Sequence, residues 1–127
     1  MKRFFCSCGG ELFFDSRFCI KCQSDVGFDI VNKQFECISN EAKIRHCQNG
    51  IDYGVCNWLR PVNSSTGLCF SCEFNRTIPD LSRSTNIDKW TILEAAKKRL
   101  IYTLSKLAVP CFTKWSSDKY GFVFDFI

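Results

Sequence analysis

The stretch CSCGGELFFDSRFCIKC, residues 6–22, decides the fold. It offers Cys6 and Cys8 in one tight turn and Cys19 and Cys22 in another, with a hairpin's length of chain between them. Zinc wants four soft thiolates in a tetrahedron, about 2.3 Å from each sulfur, and two cysteine turns facing each other supply that. Gly9 and Gly10 follow the first pair. A backbone free to take positive φ there lets amide groups approach the sulfurs. The C-x-C spacing tightens the first turn relative to the more usual C-x-x-C.

Working outward, the pattern comes round again. Cys47, Cys56, Cys69 and Cys72 form a second set. Each set closes on a C-x-x-C pair, CIKC at 19–22 and CFSC at 69–72, after an interval of 10 or 12 residues. Cys47 and Cys56 stand far apart, so a loop must close them, and His46 and Cys37 are rival ligands for this site. Cys37 and Cys111 are otherwise left over, and both read as small buried hydrophobes.

Cysteine usage and charge agree with this reading. The 127 residues hold 10 cysteines, 13 phenylalanines and a single histidine. The start, MKRFFCSCGG, lacks the apolar stretch of a secretory signal, so the cysteines read as metal ligands in a cytoplasmic protein rather than as a disulfide framework. No apolar run nears the ~20 residues that cross a bilayer. The formal charge of +4 belongs to the metal-free chain. Eight ligating thiolates and two zinc ions bring the total near zero, which weakens a nucleic-acid reading based on net charge.

Between and after the cysteines, ELFFD (11–15) and VGFDIVNKQFECI (26–38) read as short strands rich in Phe, Ile and Val. Asn49-Gly50, Gly54, Pro61 and NSSTG at 63–67 read as turns. From about Ile87 to Ala108 the chain turns helical, with Trp90, Leu93, Ala96, Leu100, Leu104 and Leu107 as one apolar stripe. Thr85 or Asn86 caps its start, Pro110 stops it, and Lys97, Lys98 and Arg99 form a solvated basic patch. The last stretch, KYGFVFDFI (119–127), alternates Phe122, Phe124 and Phe126 against Val123 and Asp125 and reads as a strand. Such a strand needs a partner, either a second copy through 120–127 or the Trp90–Leu107 helix.

The expected fold is a small, zinc-stabilised α+β protein: a zinc ribbon over 1–34, a second four-cysteine unit over 35–76, and a connector, long helix and short strand over 77–127. Two structural zinc ions are expected on Cys6, Cys8, Cys19 and Cys22 and on Cys47, Cys56, Cys69 and Cys72. Neither site is catalytic, because four thiolates leave no position for water and the sequence has no HExxH.

The order of a ribbon, CNWLRP at 56–61, LCFSCEFNRTIPDLS at 68–82, W-x3-E-A-A-K-x-R-L-x-Y-x-L from Trp90 and GFVFDF at 121–126 resembles a bacterial family of uncharacterised proteins. Its members join an N-terminal zinc ribbon to a zinc-dependent metallopeptidase domain. The resemblance implies that these residues form the non-catalytic front part of such a protein, with the peptidase-like domain or another protein as partner. The C-x-C turn and Arg60 depart from the family's pattern. The alternative is a ribbon that binds nucleic acid or protein, resting on Lys97, Lys98, Arg99, Arg76 and Arg83.

Overall fold

The computed structural model describes residues 3–38 and 43–126, so Ile127, the end of the expected last strand, lies outside the described residues. The chain forms two compact units, Met1–Cys69 and Phe70–Ile127. It is a small α+β structure of short two-stranded sheets with one long helix.

In the first unit, β1 (Phe4–Phe5) pairs antiparallel with β2 (Glu11–Leu12), and β3 (Val26–Asp29) with β4 (Gln34–Cys37). Only the first two residues of ELFFD pair. Phe14 leaves the sheet to enter the core, where Phe4, Phe28 and Trp58 meet it and Phe35 packs on Phe4 and Phe28. Ring centroids in this cluster lie 5.3–5.5 Å apart around Phe28, mostly tilted or edge-on, as aromatic quadrupoles prefer. Short strands with so few ladder bonds need such a core to hold them.

The CNWL segment serves that core residue by residue. Trp58 and Leu59 are buried apolar groups, and the Asn57 amide donates to the carbonyls of Phe14 and Ser16 at 2.8 and 2.9 Å. A buried amide satisfied in this way staples two chain segments without a desolvation penalty. β5 (Ile44–His46) then pairs antiparallel with β6 (Leu59–Pro61).

Asn49-Gly50, expected as a turn, lies inside a short helix, α1 (Gln48–Tyr53), which ends on Gly54 in the left-handed region. Gly50 is there because the chain returns against it. A Cβ at this position would meet the Cys56 carbonyl oxygen at 2.2 Å. The close approach, which sequence alone does not display, is the reason for the glycine.

In the second unit a 3₁₀ turn (Cys72–Phe74) leads into β7 (Asn75–Thr77), and α2 runs from Ser84 to Lys106. The helix starts before the expected Thr85 or Asn86 cap, with extended Arg83 at the cap position and no side-chain cap bond. Asp80 organises the turn ahead of it, accepting from the Ser82 amide and hydroxyl at 3.0 and 2.7 Å. At the other end the chain leaves the helix before Pro110. Ala108 takes φ 58°, and the amides of Ala108 and Val109 bond the carbonyls of Ser105 and Leu104. This is the double closure of a Schellman motif.

The buried face of α2 differs from the expected stripe. Trp90, Glu94, Lys97, Lys98, Ile101 and Tyr102 are buried, whereas Leu93, Leu100 and Leu107 are 52%, 48% and 69% exposed. Lys97 and Lys98, expected in a solvated patch, are each 3% exposed. On this inward face Glu94 and Lys97 find polar partners.

The carboxy-terminal strand is shorter than expected: β8 covers Phe124–Asp125. It is paired within the chain, in parallel with β7. Phe122 stacks on Phe74 with centroids 4.7 Å apart, and Phe126 reaches Trp90 at 6.4 Å. Arg76 forks onto the Asp125 carboxylate, and Thr77 donates to it at 2.8 Å. Arg76 thus ties β7 to the last strand. No helix among the described residues is long and apolar enough to cross a membrane.

Candidate metal centres

The structure gathers the cysteines into two groups. Cys6, Cys8, Cys19 and Cys22 have their sulfurs all within 4.8 Å of one another, and so do Cys47, Cys56, Cys69 and Cys72. The test of fit is the edge length. A tetrahedron with zinc–sulfur bonds of about 2.3 Å has sulfur–sulfur edges of about 3.8 Å. Cys6–Cys22 measures 3.7 Å, Cys8–Cys19 3.6 Å and Cys56–Cys69 3.6 Å. Those spacings are far beyond the ~2.05 Å of a disulfide. Both donor sets fit a structural zinc ion, and together they fit two.

Local backbone geometry builds the first group. The Cys6 amide bonds the Gly10 carbonyl at 2.8 Å and the Gly9 amide bonds the Cys6 carbonyl at 2.9 Å, with Gly9 at φ 91°. That turn aims the Gly10 amide at the Cys8 sulfur, 3.4 Å away. The second turn closes through the Gln23 amide on the Cys19 carbonyl at 2.7 Å. Cys8 and Cys22 are exposed, Cys6 and Cys19 buried.

Without metal, thiols this close compete for protons. Hydrogen bonds from the Ser24 side chain and backbone draw Cys22 down to about 6. At Cys8 the Gly10 amide pulls downward, but desolvation and the Cys19, Cys22 and Cys6 thiols outweigh it and push it up to about 11. A bound cation removes the conflict by taking all four as thiolates.

The second group is buried throughout. The Cys69 amide donates to the Cys47 sulfur at 3.4 Å, and the Cys47 amide is held by the Trp58 carbonyl at 3.0 Å. α1 takes up most of the interval between Cys47 and Cys56, which is how the loop closes two cysteines with eight residues between them.

Neither expected rival joins the second group. His46 sits on β5 with Nδ1 buried and unpartnered by a hydrogen bond, and burial, aided by Arg17, holds its imidazole below the usual range. Cys37 lies at the first group, with its sulfur 3.7 Å from that of Cys6. It is exposed rather than a buried hydrophobe. Spacing along the chain does not foretell this, because the β3–β4 hairpin is what carries Cys37 back.

A feature that sequence reading missed stands beside Cys72. Glu94, fully buried, accepts from the Asn75 amide at 3.0 Å, the Trp90 indole at 3.2 Å and the Lys97 ammonium at 2.9 Å. Its other oxygen lies 3.8 Å from the Cys72 sulfur. Lys97 also donates to the Asn75 side-chain oxygen Oδ1 at 2.5 Å and faces the rings of Phe124 and Phe126 at 5.7 and 5.6 Å. Trp90, Glu94 and Lys97 follow the helical spacing of one face, so the signal is present in W-x3-E-x2-K. It is masked by the usual meaning of charge on a helix. Asn75 begins a glycosylation-type triplet, yet its amide is spent on this cluster.

Comparison with known proteins agrees with the geometry. Residues 3–83 match the family model described as a zinc-ribbon domain. Uncharacterized protein Rv2568c of Mycobacterium tuberculosis and uncharacterized protein Mb2598c of Mycobacterium bovis are each 30% identical over 125 residues. Each match covers 98% of this chain and 36% of the relative, so the chain spans about a third of the length of the curated relatives it matches. No solved structure gives a significant match. With two four-thiol clusters of zinc geometry and a match across most of its length, the chain belongs to the zinc-ribbon domain family.

Proposed function

We propose that this chain is a non-catalytic zinc module of a longer protein. Cys6, Cys8, Cys19 and Cys22 hold one structural zinc and Cys47, Cys56, Cys69 and Cys72 the other. The observation that carries this reading is that each cluster offers four thiols within tetrahedral reach. Four thiolates complete the shell, whereas zinc hydrolysis needs an open position, a bound water and a base. The metals would supply folding free energy, and the residues around them would hold the two cysteine turns in register.

The module's role is to scaffold an adjoining protein domain. Two observations support this. The apolar stripe Leu93, Leu100 and Leu107 lies exposed along α2, and the matched relatives are nearly three times as long as this chain. The rest of the longer polypeptide is the partner proposed for that stripe. From the residue resemblance alone, that remainder is a zinc-dependent metallopeptidase domain. Burial of Lys97 and Lys98 removes two of the basic groups on which a nucleic-acid reading rests.

Two measurements test the proposal. The zinc-loaded chain should leave unstructured peptides intact; cleavage abolished by a chelator that does not unfold it would contradict the non-catalytic role. Lysines placed at the aligned positions of Leu93 and Leu100 in the full-length M. tuberculosis relative should speed proteolysis between its domains. Unchanged proteolysis would refute the scaffold.

A further inference from the structure

The first cluster holds one thiol more than zinc can use. Cys37, at the end of β4, places its sulfur 3.7 Å from Cys6 and 3.5 Å from the Ser7 hydroxyl, and it is exposed. A tetrahedral site is filled by Cys6, Cys8, Cys19 and Cys22, so Cys37 stays a free thiol in contact with a ligand sulfur. The second cluster is different. All four of its cysteines are buried, and Cys111, the remaining thiol, donates to the Val109 carbonyl at 3.7 Å.

We propose that Cys37 and Cys6 form an oxidation site at which hydroperoxides release the metal of the ribbon and spare the other. The Cys37 thiolate attacks one peroxide oxygen, giving a sulfenic acid and an oxyanion that takes up a proton to leave as water from hydrogen peroxide or as an alcohol from an organic hydroperoxide. The Cys6 sulfur then attacks the Cys37 sulfur, the S–S bond forms, and hydroxide leaves to become water. Two electrons pass from the two sulfurs to the peroxide, and two protons are taken up. Sulfurs already 3.7 Å apart reach bonding distance by a small side-chain rotation, so the fold need not open first. Cys6 is thereby withdrawn, and the three remaining thiolates hold zinc more weakly. Accessibility sets the selectivity, since peroxide reaches an exposed Cys37 and not the buried second group.

The inference rests on Cys6 being a zinc ligand, and the experiment separates the two claims. Native mass spectrometry of the reduced chain first counts its metal; a ribbon without zinc contradicts the ligand assignment, while the peptide map below still decides the disulfide. Hydrogen peroxide is then added with a chromogenic zinc indicator. One ion of the two should be released, a Cys6–Cys37 disulfide should appear in the peptide map, and dithiothreitol should restore binding. Cys37→Ser and Cys37→Ala should both keep two ions and slow release by about tenfold or more. Release at the wild-type rate from both variants, or a disulfide that excludes Cys37, overturns the proposal.

Discussion

At Glu94 a fully buried carboxylate meets an ammonium, an indole and an amide, all beside a metal-binding thiol. Such a cluster is sensitive to the loss of one member rather than to its absence as a whole. Removing a single partner from a buried ion pair costs about 3–5 kcal/mol, because the survivor is left charged and desolvated. Glu94→Ala or Lys97→Ala should therefore lower stability by about that amount in denaturant titrations at saturating zinc. The joint replacement Glu94→Leu with Lys97→Met should cost less than either. A joint cost equal to the sum of the single costs would show that the two residues act independently. The cysteines were legible at this scale because zinc demands one residue type at set spacings. Glu94 and Lys97 were not, because charged residues on a helix ordinarily face water, and their partners, Asn75 among them, are set by the fold.

A second residue-scale expectation concerns Asp125. Hydrogen bonds from Arg76 first, then Thr77, hold its carboxyl below the ordinary carboxylate range. A depressed folded-state pKa contributes stability that is complete above the unfolded value and is lost as pH falls through the folded one. The difference between wild type and Asp125→Asn should hence be constant from neutrality down to about pH 4, then close at lower pH. Exchange protection of the Phe126 amide, which bonds the Thr77 carbonyl at 2.9 Å, reads it directly. A difference that shrinks already between about pH 7 and about pH 5 would assign the effect to another group.

Among the elements, α2 was legible as a helix and misread as a face. Its apolar stripe has the right period, yet the side that is buried carries Ile101 and Trp90 together with the polar cluster. Periodicity measures where apolar residues recur; it does not register that a satisfied ion pair can displace leucines from the interior. Truncation should separate the two sides. Ile101→Ala should cost about 2–5 kcal/mol, as for a buried aliphatic side chain. Leu93→Ala and Leu100→Ala should each stay within about 0.5 kcal/mol in the isolated chain. Equal costs on both sides would mean that the exposed stripe is packed after all. The last strand shows a similar division. Alternating phenylalanines announced it, but its parallel pairing with Asn75–Thr77 joins segments nearly fifty residues apart and leaves no local sign.

For the whole molecule, the balance rests on metal. The sheets are two-stranded, and a pair of strands alone is at best marginally stable in water. The aromatic cluster around Phe28 and the sulfur cluster of Cys6, Cys8, Cys19 and Cys22 are what make the first unit's short strands persist. Structural zinc contributes on the order of 10 kcal/mol to such folds, comparable with the whole stability of a small domain. The most direct measurement is therefore a metal count by native mass spectrometry on the chain and on Cys19→Ser and Cys69→Ser. Two zinc ions are expected in the wild type and one in each variant, with chelation unfolding the chain. A wild-type count of one ion, or two ions kept by either variant, would contradict this expectation.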